Sequence, residues 1–264
     1  MIEQLKSLFQ YLLHLVRVRS KYRIHSPFVY DFFKYILDDQ TQYPDYESIE
    51  KIRKDLLLRA RFIKRVDLGA RSIAFPYSQR FVRVRDIARK SSVSPKKGQF
   101  LYKLVKHYKP RTVIEIGTAF GISSMYMALG YRNSHIYTME GCNDTLQIAK
   151  HNFSRLGLGN IKEIYGNFDK RLPEILNEVE SVDLVFFDGN HKEGSTLRYF
   201  DECLSHIHNN TVFVFDDIYW SKGMKLAWEN IRQHPSVKVS IDLFSVGVVF
   251  FRKELSKEDF ILRF

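Results

Sequence analysis

The stretch Arg111-Thr112-Val113-Ile114-Glu115-Ile116-Gly117-Thr118-Ala119-Phe120-Gly121-Ile122-Ser123-Ser124 decides the fold. Val113, Ile114 and Ile116 form a short β-branched run, as expected of a strand covered on both faces. Gly117 and Gly121 then bracket a tight turn ahead of an apolar helical run, Met125 to Leu129. Glycine in such a turn lets the backbone approach a ligand closely. The spacing is Glu-x-Gly-x-x-x-Gly rather than the Gly-x-Gly-x-x-Gly of dinucleotide sites, and a carboxylate at Glu115 would repel a pyrophosphate. A ligand carrying positive charge suits it better.

From Val113 onward strand and helix patterns alternate, with strands near 112–116, 135–139, 161–165, 182–187 and 211–215. That alternation predicts an α/β fold built on a doubly wound parallel sheet. Glu140 closes the second strand, nineteen positions after Gly121, where such folds place the group that binds ribose hydroxyls. Glu115 and Glu140 together describe a nucleoside with positive charge. Val237–Leu243 and Val246–Arg252 read as an antiparallel hairpin at the C-terminal end.

Ligands of open α/β sheets bind beyond the carboxyl ends of the strands. Here the fourth strand runs into Asp188-Gly189-Asn190-His191 and the fifth into Asp216-Asp217. Three carboxylates would converge, which is costly unless a cation or a proton shares the site; a divalent hard metal is the natural solution.

These motifs resemble the class I S-adenosylmethionine-dependent methyltransferases, and within them the catechol and caffeoyl-coenzyme A O-methyltransferase group. The resemblance covers about 96–252 and includes Lys96-Lys97-Gly98-Gln99, which is similar to a Lys-Gly-Gln segment one helix upstream of that group's first motif. It implies a Rossmann-like seven-stranded sheet. It also implies S-adenosylmethionine as cofactor, held by Glu115, Gly117, Thr118, Gly121, Ser123, Glu140, Asn167, Phe168 and Asp188. Members of the group hold Mg2+ or Ca2+ with an Asp after strand four and an Asp-Asn pair after strand five, positions taken here by Asp188, Asp216 and Asp217. Their general base is a lysine three residues after the first Asp, where this chain has His191, a residue suited to proton transfer near neutral pH. Asp217 in place of Asn and His191 in place of Lys are departures from the pattern. Tyr219 and Trp220 are candidates for the wall of an aromatic acceptor's site or for core.

The expected reaction is O-methylation of a small-molecule hydroxyl. Two other readings are compatible with the same residues: an RNA methyltransferase and a non-catalytic protein that binds S-adenosylmethionine. The first draws on charge. Residues 1–111 hold 25 Lys or Arg against 10 Asp or Glu, a net +15, whereas residues 112–264 net −4. Such a basic part suits nucleic acid, an anionic surface or an acidic substrate, or is simply a solvated face. Against RNA base methylation, strand four lacks an Asn/Asp-Pro-Pro-aromatic motif and neither cysteine follows a proline.

Two cysteines, Cys142 and Cys203, make neither a disulfide framework nor a zinc pattern, so a reducing cytoplasm is expected. No apolar run is long enough to span a membrane, and no signal-peptide pattern is evident. Upstream, the spacing predicts helices over residues 2–19, from Pro27 onward, over about 46–65 and over 81–90, with a loop at 68–79. The boundary is expected near residue 95, dividing a basic helical extension (1–95) from a methyltransferase domain (96–264). An exposed aromatic surface on the N-terminal helices would be a dimer face.

Overall fold

In this computed structural model the described residues are 24–66 and 79–264, together with 11, 12, 14–16 and 18. In chain order the elements are α1 (Pro27–Phe32, continued as a wider turn by Phe33–Leu37), α2 (Asp45–Leu58), β1 (Phe62–Val66), β2 (Gln79–Arg83), α3 (Val84–Ser91) and α4 (Pro95–Tyr108). Then follow β3 (Thr112–Ile116), α5 (Ile122–Gly130), β4 (His135–Glu140), α6 (Asn143–Arg155), β5 (Ile161–Tyr165), α7 (Phe168–Glu178) and β6 (Val182–Phe187). The chain closes with α8 (Glu193–Leu204), β7 (Ile207–Asp216), α9 (Lys222–Gln233), β8 (Val239–Asp242), β9 (Val246–Phe250) and β10 (Glu258–Ile261).

Eight strands form the central sheet in the order β10-β8-β9-β7-β6-β3-β4-β5. The strands β5, β4, β3, β6 and β7 run parallel, and β9 returns antiparallel between β7 and β8. The doubly wound sheet and its closing hairpin are as the sequence predicts. The eighth strand, β10, is an addition to the expected seven; it pairs in parallel with β8 and covers the sheet edge. Strand order reverses between β3 and β6, so their carboxyl ends open the crevice in which such folds bind ligands. Register aligns the rest: Ile116 lies opposite both Met139 and Phe187, and Phe187 opposite Phe215. The residues that follow, Gly117, Glu140, Asp188 and Asp216, therefore emerge along one rim.

Upstream, the structure differs from expectation in two windows. The helix expected over 46–65 stops at Leu58, because Arg59 turns extended and Phe62–Val66 pairs with Gln79–Arg83 as an antiparallel hairpin. The helix expected over 81–90 starts only at Val84, since Gln79–Arg83 is the second arm of that hairpin. Local periodicity favours a helix in both windows; pairing between the two separated segments overrides it. The loop expected at 68–79 lies outside the described residues up to 78, and most of the helix expected at 2–19 does too. Residues 11, 12 and 14–16 are helical, and Tyr11 and His14 meet the β8–β9 turn, their rings 5.0 and 5.4 Å from that of Phe244.

The segment before residue 95 shares its core with the sheet. Val29, Phe32, Ile49, Ile52 and Leu56 are buried with Val113, Leu184 and Val248, and the Phe32 and Phe250 rings stand 5.9 Å apart. The aromatic side chains of residues 27–37 are thus partly spent on this core, although Tyr30 and Tyr35 remain exposed.

Candidate active site

A cleft of about 450 Å³ opens at the rim. Its floor is made by Gly117, Glu140, Phe168, Asp188 and Gly189, and its far side by His191, Asp216, Asp217 and Trp220. The turn after β3 is shaped by sterics. Gly117 has φ +105°, and a Cβ there would stand 2.5 Å from the carbonyl oxygen of Asp188. Only glycine lets these two strand ends close on each other. Ala119, Asn190 and Asp217, all lining the cleft, also hold left-handed backbone (φ 44°, 57° and 53°). Such strain gathers at functional sites.

The Glu140 carboxylate is half-buried and oriented by backbone: Oε2 accepts the Ala119 N–H (2.9 Å) and Oε1 the Cys142 N–H (2.9 Å). Burial still raises its pKa. Phe168 presents its ring beside Gly189, whose missing Cβ would lie 2.7 Å from Cε2.

Other predicted cofactor residues do not reach the lining. Glu115 points beneath the turn, fully buried; its Oε2 accepts the hydroxyls of Ser124 and of Thr138 (2.6 Å for the latter), while Oε1 has no partner among the described residues. Burial pushes its pKa up to about 7 against the lowering effect of the Ser123, Ser124 and Thr138 hydroxyls. Thr118 joins the same chain through Thr138, hydroxyl to hydroxyl at 2.6 Å. Gly121 precedes α5 and makes room for Phe153, whose Cε1 would be 2.3 Å from a Cβ there. Asn167 caps α7, its Oδ1 accepting the Asp169 N–H at 2.8 Å. Ser123 is buried within α5. Glu115, Thr118, Gly121 and Ser123 thus support the β3–α5 turn from behind, and Asn167 the start of α7. For Glu115 the reason is strand alternation, since successive side chains leave a strand on opposite faces.

On the far side, His191 Nε2 faces Asp188 Oδ1 at 3.5 Å. Burial, and then the charges of Asp216 and Asp217, raise the Asp188 pKa well above the usual carboxylate range; burial and Asp217 raise that of Asp216. Asp188, Asp216 and Asp217, the expected metal donor set, all line the cleft, but among the described residues no group of three or more His, Cys, Asp or Glu is placed to hold an ion. Instead Lys97 Nζ lies 2.5 Å from Asp216 Oδ1 and 2.8 Å from Asp217 Oδ1. Burial works against the Lys97 charge, but the two aspartates outweigh it and raise its pKa. A divalent ion does not fit beside that ammonium.

Lys97, Arg65 and the run Lys90–Ser94 also line the cleft, although the sequence motifs do not single them out as site residues. The Lys97-Gly98-Gln99 motif is the available signal for the first. Arg65 arrives on the β1–β2 hairpin, which is pinned to the start of α6 by the Lys64 N–H on Asp144 Oδ2 (3.0 Å). Trp220 lines the cleft and is 63% exposed, whereas Tyr219 turns away, its hydroxyl donating to Asp242 Oδ2 (2.7 Å).

Comparison with known proteins agrees with this fold. Residues 114–218 match the family described as "Methyltransferase domain". A catechol O-methyltransferase of Niastella koreensis is 28% identical over 48% of this chain and 58% of its own length. One of Mycobacterium tuberculosis is 26% identical over 50% and 60% respectively, so the chain spans little more than half the length of these curated relatives. Among solved structures, the O-methyltransferase from Bacillus cereus in complex with SAH superposes with a TM-score of 0.57 at 21% identity, covering 82% of this chain and 96% of that one. The SAH-bound Podospora anserina methyltransferase PaMTH1 gives 0.59 at 16%, covering 87% and 97%. At these identities the structural likeness is one of fold. No helix of the described residues is long and apolar enough to cross a membrane. The chain therefore resembles the class I S-adenosylmethionine-dependent methyltransferases, and within them the catechol O-methyltransferase-like group.

Proposed function

We propose that the protein transfers a methyl group from S-adenosylmethionine to a hydroxyl of a small molecule. The observation that carries this reading is the cradle formed by Gly117 and Glu140: a glycine that no other residue can replace without striking Asp188, next to a half-buried carboxylate held by two backbone N–H groups. Glu140 would accept from the ribose hydroxyls, and Phe168 would offer an apolar face to the adenine. The cofactor supplies an electrophilic methyl on a sulfonium, whose departure leaves the bond's electron pair on sulfur.

On the acceptor side, His191 Nε2 is turned to Asp188, which leaves Nδ1 to take the hydroxyl proton as the new oxygen–carbon bond forms. Asp188, in its ionised form, would stabilise the imidazolium so produced. Arg65 and residues 90–94 close the cleft opposite, so the segment before residue 95 would act as a wall of the acceptor's site. Lys97 already holds Asp216 and Asp217 beside the acceptor's site.

The test is transfer of labelled methyl from S-adenosylmethionine into a cell extract divided into small-molecule and RNA fractions, alongside calorimetric titration with S-adenosylhomocysteine. Label in small molecules, together with saturable binding that Gly117→Val abolishes, is the expected result. Label confined to RNA would overturn the acceptor class, and unimpaired binding by Gly117→Val would misplace the cofactor.

A further inference from the structure

Two adjacent carboxylates, the buried Asp216 and the half-buried Asp217, stand at the carboxyl end of β7, where mutual repulsion and lost hydration demand a cation. The chain supplies one. The Lys97 ammonium touches one oxygen of each, and its side chain is 16% exposed. A Mg2+ or Ca2+ ion shared by the same oxygens would stand about 2.0–2.6 Å from each, in the volume the ammonium fills.

The position of Lys97 is built rather than incidental. It lies in the first turn of α4, where the helix dipole disfavours positive charge, so helix chemistry does not select a cation there. Ser94 Oγ accepts the Lys97 N–H at 3.3 Å, and Pro95 starts the helix. A Cβ on the next residue, Gly98, would lie 2.3 Å from the Tyr126 ring, so the glycine lets α4 seat directly against α5 and aims the lysine at the cleft.

We propose that Lys97 is the resident cation of this site, tethered where a divalent metal would otherwise sit, and that the protein binds no metal there. The inference rests on the acceptor-side reading above and sharpens it. An ammonium has three N–H donors; two meet the aspartates, and the third is left to meet the acceptor's oxygen in the cleft, which Lys97 lines. A single donor recognises one oxygen, whereas a metal is best engaged by two. The acceptor class is accordingly one with a lone hydroxyl, without a requirement for a neighbouring second one.

The experiment is a Tb3+ titration of the full chain read by sensitised luminescence from Trp220, repeated with Ca2+ and Mg2+ by calorimetry. The parent should give no saturable binding, and methyl transfer should survive a chelator. Lys97→Met should gain saturable Tb3+ binding that the parent lacks, since a neighbouring positive charge is removed, and Asp216→Asn in that background should abolish the gain. Lys97→Arg should stay without metal. Saturable binding by the parent that Asp216→Asn removes would overturn the proposal, as would a folded Lys97→Met that still refuses the ion. If Lys97→Met does not fold, the parent titration decides. Titrating the same samples with S-adenosylhomocysteine separates this outcome from any failure of the cofactor reading.

Discussion

Replacing Glu115 with glutamine tests how the turn beneath the cleft is built. Glu115 is fully buried, and its pKa stands at about 7 against an ordinary value of 4.5. The native state therefore holds this proton at pH values where the unfolded chain has released it. Stability from this group is greatest below pH 4.5 and is lost as the pH rises toward 7. At about 1.4 kcal/mol per pH unit, the full loss above pH 7 is about 3 kcal/mol. The introduced glutamine cannot ionise, yet its carbonyl can still accept from Ser124 and Thr138. Its amide would occupy the place of Oε1, which has no partner among the described residues, at a constant cost of about 1–3 kcal/mol. Urea unfolding of the parent and of Glu115→Gln between about pH 4.5 and 8.5 isolates the difference. The variant should be the less stable near pH 4.5, and the gap should move in its favour by about 3 kcal/mol by about pH 8. A difference that stays constant within about 0.5 kcal/mol across that range would refute the reasoning, since Glu115 would then ionise as it does in water.

Three further outcomes are expected. Glu140→Ala removes the acceptor oriented by the Ala119 and Cys142 N–H groups and should weaken S-adenosylhomocysteine binding about 10- to 100-fold by calorimetry. His191→Ala should lower kcat about 10²- to 10⁴-fold while leaving cofactor binding intact, a split that separates a proton acceptor from a structural histidine. Gly98→Ala places a methyl against the Tyr126 ring and should cost about 1–3 kcal/mol in denaturant unfolding, with transfer falling further than stability because Lys97 is displaced.

Much of the site was legible because its chemistry is local. A β-branched run ending in Glu-x-Gly-x-x-x-Gly marks a strand, a turn and a helix start without help from distant residues, and Gly117 follows β3 at the floor of the cleft. Glu140, Asp188 and Asp216 were legible for the same reason, each being at or just past the end of an apolar strand. The side chains behind the turn were not. The motif marks Glu115, Thr118, Gly121 and Ser123 alike, but which face of the sheet a strand residue takes depends on what packs there, and Glu115 faces Ser124 and Thr138. The β1–β2 hairpin reads locally as parts of two helices, since residues 62–66 find their partner only in residues 79–83.

What the sequence alone determined about this protein is the alternation of strand and helix, the order of its motifs and the residue types at each strand end, all of which follow from local periodicity and turn chemistry. The partner of Lys97 was decided by tertiary structure. Lys97 and Asp216 lie 119 positions apart, and the charge balance of the site follows from the seating of α4 on α5 and from the placing of β7 beside β6. Composition presents three aspartates and invites a metal; only the packed chain brings the lysine that answers two of them, because electrostatic pairing acts through space and not along the sequence.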